Sequence, residues 1–293
     1  MIWPGAAVTA AGLHDVDVVR PSDTERSRLN LQMQDDDQGR PHVIGLEETP
    51  DCDVLVLQRP LSRLLVDAIP HLQRAGVAVV VELDDDFQAV HRLNIAWPNV
   101  QPRLTPDHNW QHLQRACSMA DLVTVSTPAL AAKFARHGRY RILPNYLPPL
   151  WSGVPTPRDP GTVHLGWSGA INTHPTDLKQ VGTTVARVVR ENPGVDVAVI
   201  GTGMGVAKQF GLPEVKASGW QALSDYPAAV GMLDIGMVPL DLIPFNHAKS
   251  WLKGLEYAAV GTPFVASPTA EYRTLAEDGI GLLAHNPKDW YRH

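Results

Sequence analysis

The chain has 293 residues, a formal net charge of −6, 44% hydrophobic and 19% charged residues, values ordinary for a water-soluble globular protein of one large or two medium domains. The charge argues against a strongly basic nucleic-acid binder, although a local basic groove stays open. No apolar run approaches the roughly 20 residues that span a bilayer. The N-terminus lacks a signal-peptide pattern, and Cys52 and Cys117 have no metal-type spacing, so the expectation is a soluble, cytoplasmic protein with reduced thiols.

Residues 1–12 read as a helix entered through Pro4, and a short strand is expected at Val16–Val19. Residues 24–49 are polar and weakly patterned, which predicts loop with one short element. The period then becomes regular. Val54–Gln58 reads as a strand, Leu61–Arg74 as a helix and Val77–Leu83 as a second strand. Continuous β-branched runs alternating with helices predict a parallel sheet covered on both faces. After Asp84–Asp86 and the irregular stretch 91–106 come a helix from about Asp107 to Met119, strand Leu122–Val125, helix Pro128–His137 and strand Tyr140–Leu143.

Leu147–Gly161 contains five prolines and two glycines, too many for a regular element, and reads as an interdomain linker. The domains are then 1–146 and 162–293, with the linker at 147–161. The second series is strand Val163–Trp167, helix Thr176–Glu191, strand Val195–Ile200, helix Ser224–Met232, strand Ile235–Val238, helix Asn246–Gly261, strand Pro263–Ser267, helix Thr269–Glu277 and strand Gly281–Leu283. Two such halves predict an α/β fold of two Rossmann-like βαβ domains with a cleft at the carboxyl ends of their sheets.

The stretch Asn246–Gly261 (NHAKSWLKGLEYAAVG) carries the most chemistry. Asn246 is a suitable N-cap, Gly261 a suitable C-cap, and Leu252, Leu255, Ala258 and Ala259 share one helical face. Lys249 falls in the predicted first turn, where the helix dipole disfavours a cation. With Lys253 it could hold a diphosphate there, and Glu256 could accept hydrogen bonds from a vicinal diol. The plain alternative is a solvated face with a Lys253–Glu256 pair.

Asp84, Asp85 and Asp86 follow a buried strand. Their mutual repulsion raises the pKa of at least one, which suits a general base or a cation site; the alternative is an acidic turn capping the next helix. Gly166-Trp167-Ser168-Gly169 ends the first strand of the second half, with Asn172, Thr173 and His174 in the following loop. A glycine-containing βα turn lets backbone N–H groups approach phosphate, and His174 could face it. Gly201-Thr202-Gly203 resembles a dinucleotide loop, but no acidic residue closes a following strand, so NAD is not expected. Lys133, Arg136, His137, Arg139 and Arg141 form a basic cluster suited either to a helix C-terminus or to an anionic acceptor such as DNA. Trp97, Trp110, Trp151, Trp167, Trp220 and Trp251 are expected mostly in the core, with one or two free to stack on a sugar or base.

With these residues placed, the chain resembles the two-domain GT-B glycosyltransferases, closest to small bacterial and phage members of the group that includes the retaining family-four type enzymes. The resemblance rests on VLVLQRP followed by VAVVVELDDDF, on ADLVTVSTPALAAKF followed by YRILPNYL, on VHLGWSG, and above all on NHAKSWLKGLEYAAVGTPFVAS followed by EYRTL. It implies that the nucleotide sugar lies on the second domain and the acceptor on the first. Glu256 then matches the second Glu of the Glu-x7-Glu motif, which binds the donor ribose. Ala248 stands where the first, sugar-contacting Glu is usual, with Ser250 beside it on the same donor side. Lys249 and Lys253 are placed to replace the usual diphosphate-neutralising Arg/Lys pair. Relative to the family the chain looks shortened at both ends.

The expected activity is transfer of a sugar from a nucleoside-diphosphate sugar to an acceptor hydroxyl, with retention implied by the resemblance. The expected machinery is Asp84–Asp86, Lys249 and Lys253, with a donor site of Gly166, Ser168, Gly169, His174, Gly201, Thr202, Gly203, Asn246, Ala248, Ser250 and Glu256. No cofactor is required, while a divalent cation at Asp84 and Asp86 is admitted. Phage DNA, a protein or a small glycan are the candidate acceptors, and the oligomeric state is left open. The rival functions are a sugar-nucleotide epimerase and a non-catalytic sugar-nucleotide-binding module.

Overall fold

The first described strands are ones the polar sequence does not announce. In the computed structural model, which describes residues 8–12, 14–19, 29–154, 161–202 and 205–293, β1 (Leu31–Asp35) and β2 (Pro41–Leu46) form an antiparallel hairpin. Loop with one short element was expected over 24–49, where the structure has two strands. β1 is largely exposed and β2 only partly buried, and the short Leu31–Gln34 alternation stands alone in a polar stretch. The strand expected at Val16–Val19 is absent, those residues being irregular. Most of the helix expected at 1–12 lies outside the described residues, and only residues 8–10 are seen as helical.

The chain divides into two units, one of Met1–Asp84 with Asn99–Leu143, the other of Asp85–Pro98 with Pro144–His293. In the first, β3 (Val54–Gln58), β4 (Ala78–Leu83), β5 (Leu122–Val125) and β6 (Tyr140–Ile142) form a parallel sheet in that order. Val79, Val81 and Leu83 point to the face buried with the helix Arg63–Arg74, whose Val66, Ala68, Ile69 and Leu72 are buried as well. The helices Trp110–Met119 and Pro128–Phe134 are capped by Asn109 and Thr127, whose side chains accept from Gln111 N and Leu130 N. The opposite face departs from the two-sided covering expected: on β3, Val54 and Val56 are 52% and 46% exposed.

In the second unit six parallel strands run in the order β12-β11-β10-β7-β8-β9, with β7 Val163–Ala170, β8 Val195–Thr202, β9 Lys216–Ala217, β10 Ile235–Val238, β11 Phe264–Ala266 and β12 Leu282–Leu283. Chain order runs outward in both directions from the β7–β10 pair, so that pair is the topological switch point, the place where open α/β sheets bind ligands beyond the strand carboxyl ends. Separate apolar clusters pack the unit, one around Trp167, Leu178, Val185 and Phe210, the other around Trp151, Tyr257, Phe264 and Tyr272.

Two predicted helices break at the switch point. Thr176–Glu191 is a 3-10 turn (Asp177–Gln180) followed by a helix from Gly182 to Glu191. Asn246–Gly261 is the short helix Pro244–His247, a turn, and the helix Leu252–Ala259. Gly261 does close that helix, with φ 72°. The short helix Pro287–Arg292, not anticipated, ends the chain.

Candidate functional site

Asn246 is not a helix cap. It is 2% exposed and turned inward, its Nδ2 donating to Asp177 Oδ1 at 2.6 Å and to Asp241 O at 2.9 Å. Asp177 Oδ1 also accepts from Asp241 N at 2.9 Å, and Asp177 Oδ2 accepts from His174 Nδ1 at 2.7 Å. The loop after β7 and the loop after β10 are thereby joined through one buried carboxylate. The Trp167 ring meets the His174 ring edge-on at 6.2 Å.

Because the helix starts only at Leu252, Lys249 lies in the turn before it and not in its first turn. Its Nζ is 3.2 Å from Asp85 Oδ1 and 4.6 Å from the centre of the Phe245 ring. Next to it, Ser250 Oγ accepts from Asn145 Nδ2 at 2.6 Å, and Trp251 Nε1 donates to Asn145 O at 3.0 Å. Ala248 is buried and brings no polar side chain.

The buried side of the helix Leu252–Ala259 is Gly254, Glu256 and Tyr257, not the predicted apolar stripe; Ala258 and Ala259 are exposed. Gly254 allows this packing, since a Cβ there would meet Phe264, Leu275 and Tyr272 at about 3 Å. Glu256 is therefore a buried carboxylate with local partners: Lys253 Nζ at 2.6 Å and Tyr226 Oη at 2.9 Å, both on Oε2. Lys253 Nζ also donates to Tyr226 Oη at 2.7 Å, and Ser168 Oγ lies 3.1 Å from that oxygen. Burial alone would lower the Lys253 pKa, but the Glu256 carboxylate outweighs it and the net shift is upward. Burial pushes the Tyr226 phenol up, so it keeps its hydrogen. Ser168, Tyr226, Lys253 and Glu256 thus form one polar cluster beside the end of β7. Tyr226 is the member that sequence reasoning missed; a tyrosine in an ordinary amphipathic helix carries no motif.

Two of the glycines expected at phosphate have packing reasons. Gly166 lies inside β7, where a Cβ would stand 2.3 Å from Leu233 Cδ1. At Gly201, φ is 115° and a Cβ would stand 2.3 Å from Gly169 O, so the ends of β7 and β8 approach closely there. Gly203 lies outside the described residues, and of Thr202 only its place at the end of β8 is described.

The three aspartates part company. Asp84 belongs to the first unit, where its Oδ1 is 3.8 Å from Arg59 Nε, and Asp85 reaches Lys249 in the second. Asp86 accepts from Ala89 N at 3.3 Å, so it caps the following 3-10 turn, the structural role weighed against a catalytic one. The carboxyl beside them with a raised pKa is Glu82, pushed up from 4.5 to about 7 by burial and then by Asp84. Period-two alternation, which places Glu82 and Asp84 on one side of a strand, was the available signal. Among the described residues no group of three or more His, Cys, Asp or Glu side chains is placed to hold a metal ion.

Much of the basic cluster is turned to local main chain. His137 Nε2 donates to Cys117 O at 2.8 Å while its Nδ1 accepts from Arg139 N, and Arg139 Nη2 donates to Ala120 O at 3.2 Å. The Arg139 guanidinium at the last carbonyl, Ala120 O, complements a helix C-terminus. Of the tryptophans, Trp151 and Trp167 are buried, Trp97, Trp110 and Trp251 are half-buried, and Trp220 is 73% exposed. No described helix is long and apolar enough to cross a membrane.

The two Rossmann-like units define the fold class: it is that of the GT-B glycosyltransferases. Solved structures similar to this chain include TarM (TM-score 0.56, 12% identity, 82% of this chain and 46% of TarM covered). The Anabaena protein HepE in complex with UDP gives 0.52 at 16% identity, covering 81% of this chain and 67% of that one. A trehalose-6-phosphate protein from E. coli bound with UDP-2-fluoro glucose gives 0.53 at 14% identity, covering 82% and 63%. The chain therefore spans about half to two thirds of the length of these neighbours. No protein-family model matches the sequence. No curated protein matches it either.

Proposed function

We propose that the chain is a glycosyltransferase that takes a sugar from a nucleoside-diphosphate sugar to an acceptor hydroxyl, probing with a UDP-sugar first because neighbours of this fold carry UDP and UDP-2-fluoro glucose. The observation that supports it best is the buried Glu256 carboxylate beside Lys253 at the end of β7, with Lys249 in the adjoining turn. Negative charge develops on the departing diphosphate, and preformed cations in a partly dry site stabilise it most. Lys249 and Lys253 would hold the diphosphate and Glu256 the ribose diol. Retention follows from the family resemblance. The acceptor class, DNA, protein or glycan, is open to assay, and the inward-turned His137 and Arg139 lend DNA little support.

The test is nucleoside-diphosphate release from a panel of nucleotide sugars with pooled acceptors that include DNA. Acceptor-dependent release that falls by orders of magnitude in Lys249→Ala supports the assignment; near-normal turnover in that variant overturns it. An altered sugar nucleotide formed without acceptor would indicate an epimerase instead. Donor binding with no release under any acceptor would indicate a binding module.

A further inference from the structure

The first unit keeps one edge of its sheet open. In the order β3-β4-β5-β6, β3 is terminal, and the hairpin β1–β2 forms a sheet of its own. Among the described residues no strand pairs with the outer side of β3. Apolar edges are normally blunted by a proline, a lysine, a bulge or a covering element, because they template pairing with another chain. Val54–Gln58 contains no proline or lysine and runs in unbroken register with β4. Parallel sheets are normally buried on both faces, yet Val54 and Val56 are exposed.

Main-chain geometry says which groups this edge offers. Ala78 N donates to Asp53 O and Arg59 N donates to Glu82 O, so the odd-numbered residues turn their main chain towards β4. Alternation then turns the N–H and C=O of Val54, Val56 and Gln58 outward. These outward residues are centred on Val56. A second copy running antiparallel about a two-fold axis at Val56 meets every one of them. Val56 faces Val56 of the other copy and Val54 faces Gln58, each pair exchanging two N–H···O bonds.

The side chains suit that register. Valine meets valine on the exposed face, and Leu55 meets Leu57 on the face that packs on the helix Arg63–Arg74. Just beyond the strand, the exposed Asp53 of each copy comes opposite the exposed Arg59 of the other, so opposite charges meet at both ends. Slipping the register by two residues would set Asp53 opposite Leu57, or Arg59 opposite Leu55.

We propose that β3 is a self-association edge: two copies pair antiparallel about Val56 and join their four-stranded sheets into one continuous sheet. The inference is independent of the nucleotide-sugar reading. Sedimentation of the full chain tests it first. At about 50 μM, above the micromolar Kd of a weak interface, the mass should be twice 32.0 kDa. A monomer at that concentration overturns the proposal and leaves the edge to another segment or another protein.

Val56→Lys puts like charges directly opposite and should leave a monomer, as should Val56→Glu. Mixing the two should restore the doubled mass, since a register that sets residue 56 against itself pairs the two charges. Dimers that survive in both variants, or a mixture that stays monomeric, overturn the proposal. Should either variant fold poorly, Val56→Cys in a Cys52→Ser background reads the same contact with a smaller change, Cys117 being buried. With a short bis-maleimide it should give a covalent dimer, while the equally exposed Ile44→Cys should give none. Equal yields at the two positions, or none at residue 56, overturn the proposal.

Discussion

Lys249 Nζ and Asp85 Oδ1 stand 3.2 Å apart, so the cation best placed for a diphosphate already holds an anion from its own chain. Donor and Asp85 then compete for one ammonium group. Asp85→Asn should tighten UDP by about fivefold, the worth of a partly exposed ion pair. Calorimetry with UDP measures it. Unchanged or weaker binding would mean that Asp85 holds Lys249 in place and does not compete with the ligand.

Most strands of the two parallel sheets were legible because runs such as VLVLQ and AVVVEL are largely apolar, whereas the two-residue β9 Lys216–Ala217 was not. The hairpin β1–β2 was not legible, since LQMQD alternates over only four residues and PHVIGL does not alternate. The break before Lys249 was hidden for a different reason. Helical spacing runs unbroken through Asn246–Gly261, while the tertiary contacts of this stretch, such as Asn246 with Asp177 69 positions away, leave no mark in it. Lys249, Lys253 and Glu256 were legible as charges of unusual placement; their partners Asp85, Tyr226 and Ser168 depend on tertiary contacts no spacing reveals.

Glu82 makes stability depend on pH. Its folded pKa, about 7, lies above the ordinary 4.5, so the native state binds its proton more tightly than the unfolded chain does. A carboxyl shifted this way costs nothing below 4.5, progressively more between 4.5 and 7, and its full penalty above that range. Glu82→Gln should therefore raise the thermal midpoint at pH 8, by the equivalent of about 1–3 kcal/mol, and leave it nearly unchanged at pH 4. Equal effects at both pH values would show that titration of this carboxyl is not responsible.

Gly201 offers a test of packing against ligand approach. With φ 115° and a would-be Cβ 2.3 Å from Gly169 O, Gly201→Ala strains main chain against main chain. It should cost about 3 kcal/mol or more in urea unfolding, whereas Gly166→Ala, which meets the Leu233 side chain, should cost about 1–3 kcal/mol. Loss of UDP binding by Gly201→Ala at unaltered stability would point to a phosphate contact instead.

Lys253 and Tyr226 share Glu256 Oε2, but removing each should do something different. Lys253→Met leaves the buried carboxylate without its cation, which should cost about 2–4 kcal/mol of stability and also abolish donor turnover. The upward-shifted Lys253 pKa means that the ion pair's contribution is whole below about 10.5 and is lost only as pH rises through the higher folded value, so near neutrality it is fully present and gives stability no pH dependence. Tyr226→Phe keeps the ring against Trp151, 5.6 Å away and edge-on, and deletes only the hydroxyl. Glu256 keeps Lys253 but is freer to turn, so the diol should bind more weakly while the diphosphate contacts persist. The expected result is a KM for donor raised by about three- to tenfold with kcat within twofold. A fall in kcat with KM unchanged would instead place the Tyr226 hydroxyl on the departing diphosphate, where its hydrogen would matter only as charge develops.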